Sequence, residues 1–447
     1  MKRKLVILPL GVLLVASGSV AAQERGAGTV TVFTNVNVIP MDRERVLAGQ
    51  SVVVERGVIM RIGPGSGVAI PGGATVVDGT GKYLIPGLVD VHVHLSYNTL
   101  AEQQQILTMF VANGVTTVVN LRGSAQVLDL RSAVAAGRTL GPRIYSAGPY
   151  VNEPFFTTPD EVERAVVEQK RAGYDFIKLH GSLSRAAYAR LNAVARREGI
   201  RVVGHAPRNL GIEPMFTEHQ YMLAHAEEFL YDTTNSSTDA SLPRIDSLIP
   251  EFARSTARAG MWVSPNLTGF KSIGRMADNL DAVLARPEMK YLPRSNQIGW
   301  GPATNPYTAR FGKSAVPGIL ARYRLLEKMV REFHAAGVRL LIGTDAMNTG
   351  VVPGWSAHDE LEDLVAAGLS PFDALRAATS NAAEFLGEPG DKGTIAVGQK
   401  ADLVLLDANP LTDIANSRKI AGVMLRGRWM SGADIASMLR EISSGSN

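Results

Sequence analysis

Between residues 84 and 386, short apolar runs alternate with amphipathic stretches, and no other feature of the 447-residue chain restricts its fold so strongly. Runs rich in Val, Ile and Leu at 88–92, 116–120, 143–147, 176–179, 201–204, 221–224, 261–264 and 340–343 read as strands buried on both faces. Stretches such as 184–197 and 321–336 carry the helical period between them. Gly114, Gly173, Gly199, Gly260 and Gly337 close the intervening helices, each a few residues before a strand. A glycine there supplies the left-handed residue that ends a helix. Eight strands separated by helices predict an α/β (β/α)8 barrel of the TIM type, which usually needs about 250 residues before insertions. A doubly wound open sheet is the alternative, but no Gly-x-Gly-x-x-Gly follows the first strand.

The flanks read differently. Residues 30–33, 51–54, 58–62 and 74–77 form short strands punctuated by Gly and Asp-Gly, and comparable strands return only at 403–406 and 420–425. Four or five short strands make a thin sheet alone. The expectation is one small β-sandwich domain built from both chain ends, 23–83 and 387–447, with the barrel of 84–386 inserted between. Segment 266–320, rich in Pro, Gly, Asn and Arg, reads as a long loop over the active-site face.

Lys2, Arg3 and Lys4 precede an apolar run and the small-residue exit Val20-Ala21-Ala22, which describes a signal peptide over 1–22 and a periplasmic or secreted protein. An uncleaved spanning anchor would need about 20 apolar residues, more than this run offers. Cleavage after Ala22 leaves 43 Lys and Arg against 42 Asp and Glu, so no electrostatic argument for nucleic acid survives. Stable membrane insertion is not expected after cleavage. With no cysteine, any metal must be held by His, carboxylates or a modified Lys.

Asp90-Val91-His92-Val93-His94 ends the first strand. Residues two apart on a strand point the same way, so His92 and His94 both face inward, an arrangement suited to a zinc-type metal. His205, His225 and Asp345 end later strands, and a barrel gathers such ends around one axis. Lys178 ends the fourth strand and faces the same centre. An ammonium beside divalent cations is strongly disfavoured, so either Lys178 loses its proton and is modified, or the metal set is incomplete. His180 shares its face and is a rival ligand. Arg122, at a strand mouth, could grip a substrate carboxylate; Tyr231 and His358 are further candidates for lining the pocket. His219 and His334 fall in helical stretches and read as ordinary surface or core residues.

His92-x-His94, Lys178, His205, His225 and Asp345, in this order, resemble the amidohydrolase superfamily. The stretches Ala377-Ala378-Thr379-Ser380-Asn381-Ala382-Ala383 and Gly393-x-Ile395-x-x-Gly398-x-x-Ala401-Asp402-Leu403-Val404 are similar to its imidazolonepropionase-like and prolidase-like (Xaa-Pro dipeptidase-like) branch. The resemblance implies a lysine carboxylated by CO2 at Lys178, bridging two divalent metal ions. The first ion would be held by His92, His94 and Asp345, the second by His205 and His225, with a bridging hydroxide as nucleophile and Asp345 as general base and then acid. Zinc is the expected metal, although manganese and cobalt suit the same donors. The implied activity is hydrolysis of amide or peptide bonds in a small molecule, of dipeptide or N-acyl amino acid type. An ester, lactone or cyclic-amide hydrolase using the same site is the alternative, and a non-catalytic binding protein a remote one. Barrels of this size often pair, so a homo-oligomer is compatible with the chain. Two departures stand out: Asn120 where many relatives carry Asp, and Tyr150 in a segment that often carries His. Both are expected to touch the substrate face.

Overall fold

The computed structural model describes residues 30–95, 99–231 and 241–444; the expected signal segment lies outside them. Its centre contains all eight expected strands, each in place within a few residues: β1 (Leu88–Val93), β2 (Val115–Asn120), β3 (Arg143–Ser146), β4 (Phe176–Gly181), β5 (Arg201–Pro207), β6 (Met222–Ala224), β7 (Trp262–Ser264) and β8 (Arg339–Leu340). They pair in two parallel sheets, β1-β2-β3 and β4-β5-β6-β7-β8. Isolated parallel bridges Ala147↔Phe176 and Val93↔Ala346 connect the sheets at both ends. Every residue of β1 and β2 is buried, as expected of strands covered on both faces. The five helix-closing glycines all take positive φ, between 62° and 87°.

Strands from both chain ends share one eight-stranded mixed sheet. Its order runs Arg428–Ser431, Ile420–Leu425, Leu403–Leu406, Tyr83–Pro86, Val30–Val38, Leu47–Glu55 and Val58–Pro64, with Thr75–Asp78 on Val30–Val38. The seam is Tyr83–Pro86, parallel to Val30–Val38 and antiparallel to Leu403–Leu406. Phe33, Val36, Val52, Leu84, Leu403 and Met424 pack into a separate apolar cluster against this sheet.

Segment 266–320 corrects the expected loop, because most of it is helical: Leu267–Leu284, Arg294–Gly299, Pro306–Arg310 and the start of Val316–Ala335. Leu267, Phe270, Met276 and Ala277 put the first of these helices into the main core, each large apolar side chain contributing roughly 1.5–3 kcal/mol on burial. Its amino terminus is anchored by a residue remote in sequence. Fully buried Glu360 accepts from Leu267 N (3.0 Å) and Thr268 N (2.8 Å), satisfying two orphan donors where negative charge favours a helix.

Candidate metal centre

The carboxyl ends of the central strands enclose a cavity of about 330 Å³ lined by His92, His94, Lys178, His205, His225 and Asp345, with Tyr150, His180, Glu227, Met347 and Asn348 completing the wall. All six candidate ligands are therefore in one place. His92, His94 and Asp345 form the tightest group, their ligand atoms within 4.8 Å of one another. His94 Nε2 lies 2.7 Å and His92 Nε2 3.2 Å from Asp345 Oδ1. The imidazoles form a continuous belt, with ring centroids 5.2 Å apart for His94 and His92, 4.7 Å for His92 and His225, 4.9 Å for His225 and His205, and 4.4 Å for His205 and His180.

The chain holds this belt by close backbone approach and strained turns. Gly204, at φ +120°, lets β5 lie on Lys178, where an added Cβ would come within 2.3 Å of Leu179 O and 2.6 Å of Lys178 Cδ. At Gly343 it would meet Ser264 Oγ at 2.2 Å and His92 Cβ at 2.8 Å. His225, Asn266, Asp345 and Met347 all take positive φ, between 56° and 77°, a region that non-glycine residues enter rarely and mostly at functional turns. Asp345 N donates to His92 O (2.8 Å) and His94 N to Ala346 O (2.9 Å), lacing the first strand end to the last.

Outer partners fix the side chains. Fully buried Asp90 accepts from His92 N (3.1 Å), Thr344 N (3.1 Å) and Thr344 Oγ1 (2.6 Å). Asn266 places its Nδ2 3.4 Å from His92 Nδ1 and accepts from His225 N at 3.3 Å. Glu228 Oε1 lies 3.3 Å from His205 Nδ1, and the same carboxylate takes Arg208 at 2.6 Å. Carboxylates and amides behind an imidazole select its tautomer and orientation.

Burial sets the protonation states. It holds His92 and His205 well below the ordinary histidine range and takes His225 down to about 3 and His180 to about 4, so all four present neutral nitrogens. At Asp345 burial pushes upward, but His92 and His94 outweigh it and keep the carboxyl ionised. Lys178 is fully buried, and its Nζ has no hydrogen-bond partner among the described residues. Burial lowers its pKa to about 8, against the upward pull of Asp345. Neutral imidazoles, an ionised carboxylate and an unsatisfied amine whose proton burial loosens fit a divalent-metal site with a modified lysine.

The remaining candidates separate. His180 lines the cavity and stacks on Tyr150 at 4.4 Å with planes 5° apart, outside the His92, His94 and Asp345 group. Arg122 also packs on Tyr150, its guanidinium 5.4 Å from the ring centre. Tyr231 is half-buried under Arg208, with 5.2 Å between guanidinium and ring centre, and is not among the residues lining the cavity. His358 does not reach the cavity. It is buried in helix Trp355–Ala366 with Nδ1 2.9 Å from Ser417 Oγ and Nε2 3.1 Å from Asn113 O, because that face of the helix packs away from the strand ends. Asn120 also departs from expectation. Fully buried, it accepts from Leu95 N (2.8 Å) and donates to Ser146 Oγ (3.0 Å), tying backbone around the site rather than facing substrate. His219 lies in a left-handed turn just past a short helix, and His334 on a helix surface 3.5 Å from Asp373.

Tyr150 lines the cavity, while sequence reasoning gave Asp90 no role and missed Glu227, Glu228 and Asn266. An acid two residues from a strand-end histidine is the signal that could have found Asp90 and Glu227.

Parallel strands whose carboxyl ends gather buried imidazoles, a carboxylate and a lysine around one polar cavity define an α/β fold with a candidate metal-binding site. The chain belongs to the Amidohydrolase family, which matches residues 83–430. It is accordingly a hydrolase acting on carbon–nitrogen bonds. It is 24% identical to the enamidase of Eubacterium barkeri over 395 residues, covering 86% of this chain and 88% of that protein. It is 23% identical to the imidazolonepropionase of Geobacillus thermodenitrificans over 424 residues, covering 86% of this chain and 91% of that one. A solved Xaa-Pro dipeptidase with methionine bound in its active site superposes with a TM-score of 0.68 at 21% identity, over 90% of this chain and all of that one, and shows the shared fold.

Proposed function

We propose that the protein hydrolyses amide or peptide bonds of small substrates, of dipeptide or N-acyl amino acid type, with two divalent metal ions, most simply zinc. The observation that carries this reading is Lys178, a fully buried amine with no hydrogen-bond partner among the described residues, in a cavity lined by five imidazoles and two carboxylates. Carboxylation would turn that amine into an anionic oxygen donor and remove the conflict between an ammonium and nearby cations. His92, His94 and Asp345 would hold one ion, His205 and His225 the other, and carboxylated Lys178 both. Such ions lower the pKa of a water and polarise a carbonyl. Asp345 is the general base: its carboxylate, ionised and fixed by His94 and Asn348, takes the water's proton and returns it to the leaving nitrogen. The 330 Å³ cavity suits a small ligand.

The two bridges joining the sheets support reading the eight strands as a closed (β/α)8 barrel over 84–386. The separate apolar cluster supports a small β-domain shared by both chain ends. The pattern at residues 2–22 supports export.

A panel of dipeptides, N-acyl amino acids, cyclic amides and lactones tests the substrate reading. Turnover of a linear amide is expected, and turnover of lactones or cyclic amides with no linear amide cleaved would replace it. The enamidase and imidazolonepropionase likenesses are the reason for including cyclic amides.

A further inference from the structure

The cavity wall contains one acidic side chain that the proposed chemistry does not use. Glu227 and Glu228 are neighbours on the turn Ala226–Tyr231, which Ala226 N fixes to Pro265 O (3.1 Å) and Glu228 N to His225 O (3.1 Å). The turn sends the two carboxylates apart. Glu228 points into the protein, fully buried, and is neutralised there by the forked Arg208 guanidinium at 2.6 and 3.1 Å. Glu227 faces the cavity beside the ligand residues. It makes no hydrogen bond or ion pair with any described residue, since Arg208 is committed to Glu228 and to the Tyr231 ring. It also stands outside the group of His92, His94 and Asp345 whose ligand atoms converge. A sheltered carboxylate without a partner is costly unless a ligand supplies one.

We propose that Glu227 is a specificity-determining residue that receives an ammonium group of the substrate, holding that group at the cavity wall shared with His225 and Asp345. The inference rests on the amide-hydrolase reading and narrows it to substrates that carry a primary ammonium close to the scissile bond. That ammonium is either the free α-amino group of a dipeptide or the ω-amino group of a lysyl residue. An N-acylated, otherwise neutral substrate leaves Glu227 unpaired and is the poorer one.

The test compares wild type and Glu227→Gln, as metal-loaded full-length enzymes, on matched substrates: a dipeptide with a free amino terminus, its N-acetyl form, and N-acetyl forms carrying lysine or norleucine. Glutamine keeps the shape and removes the charge. For the ammonium-bearing substrates kcat/KM is expected to fall about 10- to 100-fold, mainly through KM, the range for losing a hydrogen bond to a charged group. For the uncharged N-acetyl substrates it is expected to change less than about threefold, with metal content unaltered. Loss confined to the free dipeptide assigns the α-amino group, and loss confined to the lysyl substrate assigns the side chain. An equal loss on all substrates, or a fall in metal content, overturns the inference by making Glu227 a catalytic or ligand residue. Unchanged selectivity on amides that are cleaved also overturns it while leaving the amide-hydrolase reading intact. Absence of any amide cleavage by wild type fails that reading instead.

Discussion

Asp345→Asn is expected to lower kcat about 10²- to 10⁴-fold on any substrate the wild type cleaves, the range for losing a positioned general base. Asparagine keeps the outline of the side chain beside His94 Nε2, now 2.7 Å from Oδ1, and can still accept at its Oδ1 from Asn348 Nδ2, now 2.9 Å from Asp345 Oδ2. It cannot take a proton from water or return one to a departing nitrogen. The wild-type carboxylate is poised for both tasks because His92 and His94 keep it ionised despite burial. Steady-state kinetics, with the metal content of the same preparation, separate loss of the base from loss of a ligand. A variant that holds metal and keeps activity within about tenfold of wild type would move the proton transfer to another residue.

Asp90→Ala is expected to cause the largest loss of stability of any single change near the site, and to inactivate the enzyme without altering any cavity residue. The carboxyl receives two backbone N–H groups and one hydroxyl in a fully buried position. Each buried donor left unsatisfied costs roughly 1–3 kcal/mol, so about 3–9 kcal/mol is the expected sum for the three. The same bonds clamp β1 to the turn that carries Asp345, and without them His92 and Asp345 lose their common frame. Burial pushes Asp90 up to about 7, which makes the neutral carboxamide of Asp90→Asn a closer substitute. Urea unfolding should rank wild type above Asn and Asn well above Ala. An alanine variant with the wild-type midpoint would show that the clamp contributes little.

The strands and their end residues were legible because two physical periods suffice to find them. Alternation within a strand places His92 with His94, and parallel strand order brings Lys178, His205, His225 and Asp345 to the same end. The local sequence also carries the helix stops, since a left-handed residue after a helix favours glycine. What escaped depends on partners far along the chain. Segment 266–320 looks irregular by composition, yet its first helix is set by Glu360, some ninety residues on, and by apolar contacts no local pattern announces. His358 follows the last strand closely but turns to Ser417 and Asn113, because sequence gives the period of a helix and not the direction of its faces. Asn120 reads as a substrate-facing departure, whereas its carboxamide serves backbone on both sides. Glu227 and Glu228 are indistinguishable as letters, and only the turn that separates them makes one a buried counter-ion and the other a cavity wall.

The central claim is a two-ion site organised by a carboxylated Lys178, and metal stoichiometry tests it most directly. Protein purified without chelator is measured by inductively coupled plasma mass spectrometry beside Lys178→Ala. The account predicts about two equivalents per chain in wild type, falling toward one or none in the variant, since the residue bridging both ions would be gone. About one equivalent in both proteins, indifferent to Lys178, would contradict it and leave a single-ion site with Lys178 in another role.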